Sequence, residues 1–148
     1  MFAKLAIAAL AATTALAGPT RMNARQDAAA ANFAGDATYY AVGLGACGDT
    51  NTDSEFVVAI NNPQYESNGG TPNGGGPCGK FVQITDTQTG VKQIAKVVDR
   101  CPGCKEGDLD MSPSLFAALH NGNMDAGRFP ISWEFIDAAA AATATATA

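Results

Sequence analysis

The sequence is poor in histidine, tryptophan and positive charge. It holds one His and one Trp, and nine Lys plus Arg stand against fourteen Asp plus Glu, for a formal net charge of -5 in 148 residues. Nucleic acid or anionic lipid would reward clustered Lys and Arg. The six basic residues from Lys80 to Arg128 are instead scattered, so neither partner is expected. No Gly-x-Ser-x-Gly elbow occurs, and the lone His120 belongs to no recognisable motif, which leaves serine-based catalysis without support. The glycine-rich stretch Asn68–Gly79 lacks the Lys-Ser/Thr of a phosphate-binding loop and reads as a flexible surface loop. After the first residues no long apolar run remains, so a membrane anchor is not expected.

The first residues have the pattern of a cleavable leader. Lys4 supplies a positive charge, Leu5–Leu16 is an apolar run too short to span a bilayer, and Ala15-Leu16-Ala17 offers the small residues of a cleavage site before Gly18. Residues 1–17 therefore read as a signal peptide and the chain as a secreted one. Its loss would take the net charge to roughly -6. Residues 18–32 are Ala-rich and polar and read as a linker or propeptide. Residues 138–148 are an Ala/Thr repeat without core-forming side chains and read as a disordered tail. One domain, 33–137, lies between them, long enough for a single core.

Four cysteines in a small exported domain read as two disulfides, with three connectivities possible. Cys101-Pro102-Gly103-Cys104 has the spacing of a structural disulfide, of a redox pair and of a zinc site. Zinc would need further close ligands, and His120 sits in an Asn/Gly context that reads as a loop. A redox motif would want a βαβ setting, which the pattern does not show.

Short β-prone runs separated by turn residues predict strands over 36–40, 56–60, 81–85, 93–99 and 131–136, with 86–90 as a hairpin loop. Asn61-Asn62-Pro63 ends the second of these. Ser112-Pro113 followed by Leu115, Phe116 and Leu119 predicts one helix, with serine as N-cap and proline at the first position. Such a pattern is all-β in class and fits a small barrel better than a sandwich.

Two carboxylates stand beside these elements. Asp99 ends the strand 93–99, and Asp110 precedes the helix, where the helix dipole favours an ionised carboxylate. Two carboxylates facing one cleft are the minimum for glycosidic cleavage. They are equally able to bond loop amides near Cys101 and to cap the helix. Tyr39, Tyr40 and Trp133 are aromatic candidates for a sugar ring, but strand alternation turns one of the two tyrosines inward, and Trp133 reads as core.

Gly35-Asp36-Ala37-Thr38-Tyr39-Tyr40, Gly45-Ala46-Cys47-Gly48, Cys78-Gly79-Lys80, Val97-Val98-Asp99-Arg100-Cys101 with Cys104, Asp108-Leu109-Asp110-Met111-Ser112-Pro113 with Phe116, and Ser132-Trp133-Glu134-Phe135 together resemble the RlpA-like double-psi β-barrel family. The match spans the domain and is similar above all to the small fungal single-domain members, including the loosenins, and beyond them to expansins, barwin and family 45 endoglucanases. The resemblance implies a six-stranded double-psi β-barrel with one or two short helices, an open groove, and the disulfides Cys47–Cys78 and Cys101–Cys104. The first of these would contribute about 3–4 kcal/mol on the chain-entropy model, and the short second loop little. It also implies that Asp110, Asp99, Thr38 and Tyr39 line the groove. Where the endoglucanases carry a catalytic base this chain has Ala41, Val42 and Gly43, which argues against an enzyme. Where bacterial expansins place an aromatic, it has Cys101. The expected protein is a secreted, non-hydrolytic monomer without cofactor or metal that binds or loosens cell-wall polysaccharide, cellulose or chitin. The alternatives are a protein-binding module, such as a cysteine-protease inhibitor or effector, and a lytic glycosidase.

Overall fold

The computed structural model describes residues 32–145. The expected leader lies outside the described residues, as does the linker apart from Asn32. In chain order the elements are β1 (Phe33–Tyr39), β2 (Val57–Asn61), α1 (Asn62–Ser67), β3 (Gly70–Thr71), β4 (Gly74–Gly75), β5 (Phe81–Asp86), β6 (Lys92–Cys101), β7 (Leu109–Met111), α2 (Pro113–Leu119), a single 3-10 turn (Met124–Ala126), β8 (Phe129–Ile136) and α3 (Ala138–Thr145).

Six strands pair in the order β1-β7-β2-β6-β5-β8, and β8 pairs in turn with β1. β1 runs parallel to β7 and β2 parallel to β6, while the other pairings are antiparallel. This is the six-stranded double-psi barrel. Alternation explains its core. In β5 and β8, Val82, Ile84, Phe129, Ile131 and Trp133 turn inward and are buried, and they meet Leu109, Met111, Leu115 and Phe116. Fully burying each such side chain is worth about 1.5–3 kcal/mol. Trp133 is core, as expected, and its indole Nε1–H donates to the Gly107 carbonyl at 2.7 Å. Gly107 has φ 90°, and a Cβ there would lie 2.0 Å from the Ala34 carbonyl oxygen, so only glycine fits where β1 and β7 start.

Both disulfides form with the pairing that the resemblance implies, Cys47–Cys78 at a sequence separation of 31 and Cys101–Cys104 at 3. Other expectations need correction. Among the described residues there are three short helices rather than one or two. Asn61 both ends β2 and caps α1, its Oδ1 accepting the Gln64 N–H at 3.0 Å with proline in the first turn, so the residues read as a strand stop also start a helix. The glycine-rich stretch is not a plain loop: it contains the β3–β4 hairpin, tied by Thr71 Oγ1–H donating to the Gly74 carbonyl at 2.7 Å. The Ala/Thr repeat is helical over Ala138–Thr145, packs on β6 and buries Ala141. Alanine has the highest helix propensity, and contact with the barrel offsets the poor stability of so short a helix alone.

His120 is not in an open loop. It ends α2, and its Nδ1 pairs with Asp86 Oδ2 at 2.7 Å while its ring stacks on Phe129 with centroids 4.4 Å apart. Asp86 is fully buried and also accepts the N–H groups of Gln88 and Thr89, which fixes the turn after β5. Burial pushes its carboxyl pKa up, but these hydrogen bonds outweigh burial and hold it below the ordinary aspartate value. This pair ties the hairpin to the helix.

Candidate functional site

Strand register assembles the polar residues. Thr38 of β1 pairs with Asp110 of β7, Asp110 with Ala59 of β2, and Ala59 with Asp99 of β6. Paired residues share a face, and their sequence neighbours Ala37, Leu109, Met111, Val58 and Ile60 fill the interior. Thr38, Asp110, Ala59 and Asp99 therefore form one row turned away from the core, across four adjacent strands and about 14 Å of sheet, with Ala59 buried and the other three half-buried. A register shift between Val58 and Ala59 completes it, because Val58 pairs with Val97 but Ala59 with Asp99. The extra residue, Val98, is accommodated as a bulge, and Asp99 is thereby aimed at the row.

Each carboxylate is held differently. Asp99 Oδ1 accepts two backbone N–H groups, from Ala46 and Arg100, both at 2.7 Å. It thus pins the 41–56 loop to the end of β6, where Gly45 lies so close to the Val98 carbonyl that a Cβ would sit 2.3 Å from it. The same loop is tied by Cys47–Cys78, by Val42 N–H donating to Asp53 Oδ1 at 2.7 Å, and by Ser112 Oγ–H donating to the Glu55 carbonyl at 2.5 Å. Ser112 has N-cap geometry, yet its hydroxyl goes to the loop instead of α2. Asp110 does not cap the helix either. Its Oδ1 accepts the Thr38 hydroxyl at 2.7 Å. Burial raises its carboxyl pKa above the ordinary value, and the Asp99 charge adds to this, against smaller opposing effects of Thr38 and Arg128. Asp110 is thus a half-buried carboxyl with a fixed orientation that keeps its proton to higher pH than a free aspartate.

The row includes Thr38, Asp110 and Asp99, but not Tyr39. Tyr39 pairs with the inward Met111, packs its ring on Phe116 at 4.8 Å and is 41% exposed at the barrel end. Tyr40 takes the place beside the carboxylates. Its phenol pKa is pushed far up, first by burial and then by the charges of Asp99 and Asp110 and a hydrogen bond with Asp99. Period-two alternation from Thr38 selects Tyr40, not Tyr39, for the shared face, and that signal was in the sequence. The Cys101–Cys104 pair also reaches the site: its sulfurs and a carboxylate oxygen of Asp110 lie within 4.8 Å of one another. An open pocket of about 330 Å³ lies elsewhere, at the start of β1, lined by Asn32, Phe33, Ala34, Gln64, Glu106 and Gly107.

The sequence profile of the Barwin family matches residues 45–138. Allergen Asp f 7 of Aspergillus fumigatus is 40% identical over 111 residues, covering 68% of this chain and 36% of that protein. The chain spans about a third of the length of the curated relatives it matches. Among solved structures, a Streptomyces papain inhibitor superposes with a TM-score of 0.62 at 31% identity, covering 72% of this chain and 96% of that one. A Clavibacter michiganensis expansin, an aspartate-to-asparagine mutant in complex with cellohexaose, superposes with a TM-score of 0.59 at 28% identity, covering 72% of this chain and 51% of that one.

Proposed function

Because the chain belongs to the Barwin family, we propose that it is a secreted protein that binds or loosens cell-wall polysaccharide, cellulose or chitin, without hydrolysing it. The row Thr38–Asp110–Ala59–Asp99 carries this reading. It spreads hydroxyl and carboxyl groups along an extended strip, with Tyr40 at one side, which suits a linear ligand rich in hydroxyl groups. The similarity to an expansin solved with cellohexaose supports the same ligand class. Asp110 is the principal polar group, oriented by Thr38. Asp99 holds the bordering loop, and Tyr39 offers a partly exposed ring at the strip's end.

The surroundings of Asp110 support the non-hydrolytic reading. An inverting glycosidase needs a second carboxylate free to activate water. Asp99 is engaged by two backbone amides, and the segment after Tyr40 is Ala41-Val42-Gly43. The test is depletion of the protein from solution by insoluble cellulose and by chitin, with Asp110→Ala alongside. Binding that drops tenfold or more in the variant is the expected result; no binding by either protein, or equal binding by both, contradicts it. Release of reducing ends by the unaltered chain would overturn the non-hydrolytic part.

A second reading, inhibition of papain-type proteases, is favoured by the near-complete coverage of the Streptomyces papain inhibitor and by Leu44, 74% exposed on the 41–56 loop. Inhibition of papain that survives Asp110→Ala and is lost in Leu44→Asp would establish it.

A further inference from the structure

The two disulfides differ in what they hold. Cys78 packs against the barrel core, and Cys47–Cys78 ties the 41–56 loop to the segment before β5. Cys101–Cys104 has no comparable role. Its turn is already closed by Cys104 N–H donating to the Cys101 carbonyl at 3.4 Å, and Asp108 Oδ2 accepts the Lys105 N–H just beyond. Both cysteines are half-buried, and Pro102 and Gly103 between them are exposed.

We propose that Cys101, Cys104 and Asp110 form a redox-gated site for a soft divalent metal ion of the zinc class. The convergence of the three side chains within 4.8 Å carries the proposal. In the oxidised chain each sulfur is bonded to the other and no thiolate is offered. A dithiol reductant supplies the electron pair. Its own S–S bond forms as Cys101–Cys104 breaks, and its two protons end on the cysteine sulfurs. The metal ion then displaces both thiol protons to solvent. It takes two thiolates at about 2.3 Å and a carboxylate oxygen at about 2.0–2.2 Å, leaving a fourth tetrahedral position for water. The Cys-x-x-Cys spacing is one that places two sulfurs on a single zinc ion. Thr38, donating to Asp110 Oδ1, acts as the outer partner that fixes the carboxylate's orientation. In oxidising surroundings the pair stays a disulfide, so metal uptake marks a reduced chain. The site does not depend on whether the polar row binds polysaccharide.

The experiment reduces the full chain with a phosphine, removes the reductant anaerobically and titrates with cobalt(II), followed by zinc(II). The expected result is a thiolate-to-cobalt charge-transfer absorption that saturates at one ion per chain and disappears as zinc displaces cobalt. The oxidised chain and the double variant Cys101→Ser/Cys104→Ser, which keeps Cys47 and Cys78, show none. Asp110→Asn weakens the metal at least tenfold. The proposal is overturned if the reduced chain shows no band, if the double variant shows the same band, or if Asp110→Asn binds as tightly. Loss of the native circular-dichroism spectrum on reduction, before metal is added, also contradicts it, because the barrel must hold Asp110 beside the pair.

Discussion

At the scale of the residue, Asp110 was legible as a carboxylate just before Met111-Ser112-Pro113 at a helix start, and Thr38 only through the family resemblance of the motif around it. Asp99 was legible as a strand-end carboxylate, and it does bond loop amides, one of the two roles its position allowed. What the local sequence hid were contacts between distant segments. His120 reads as a loop residue because its partner Asp86 lies 34 positions away. The Asp110 carboxyl pKa is raised, so the protonated form favours the fold. Its contribution to stability is present below the unfolded value and is lost as pH rises through the folded one. Thr38→Val removes a hydrogen bond to the ionised form, so the Asp110 pKa, followed by carbon NMR of the carboxyl, is expected to rise further, with about 1 kcal/mol of stability lost. An unchanged or lower value would contradict the pairing. Asp86 has the opposite sign. Its folded pKa is lowered, so its contribution is present above the unfolded value of about 3.9 and is lost as pH falls through the folded one. In His120→Ala, urea unfolding is expected to show about 2–3 kcal/mol lower stability at neutral pH and an acid loss that begins at higher pH than in the unaltered chain.

At the scale of the element, strands with several alternating residues were legible, and β7 was not. Three residues, Leu109–Met111, are too few to show a period, and they are strand only because β1 and β2 pair on either side. The register shift opposite Val98 was likewise invisible, since a bulge depends on the partner strand. An Ala/Thr repeat without core-forming side chains reads as disorder, and the helical form of α3 comes from intrinsic propensity plus contact with β6. The disulfides differ in the loops they close. Replacing Cys47 and Cys78 by alanine is expected to lower stability by about 3–4 kcal/mol, whereas replacing Cys101 and Cys104 by serine should lower it by under about 2 kcal/mol. Denaturant midpoints of the two double variants check this, and equal losses would contradict the division of roles.

At the scale of the whole molecule, the barrel turns five separate segments into one surface. β1, β7, β2 and β6 contribute one residue each to the row, and the 41–56 loop borders it through Asp99, Cys47 and Ser112. No single stretch of chain contains the site, so its course across four strands required the register, whereas the choice of Tyr40 over Tyr39 for its face needed only alternation from Thr38. The most direct measurement is an amide NMR titration of the full chain with soluble cello- and chito-oligosaccharides. Perturbations concentrated on Thr38, Tyr40, Ala59, Asp99 and Asp110 and their immediate neighbours, and lost in Asp110→Ala, are the predicted result. Perturbations confined to the pocket at the start of β1, around Phe33, Gln64 and Gly107, or none with either sugar, would contradict the assignment of the row as the binding surface.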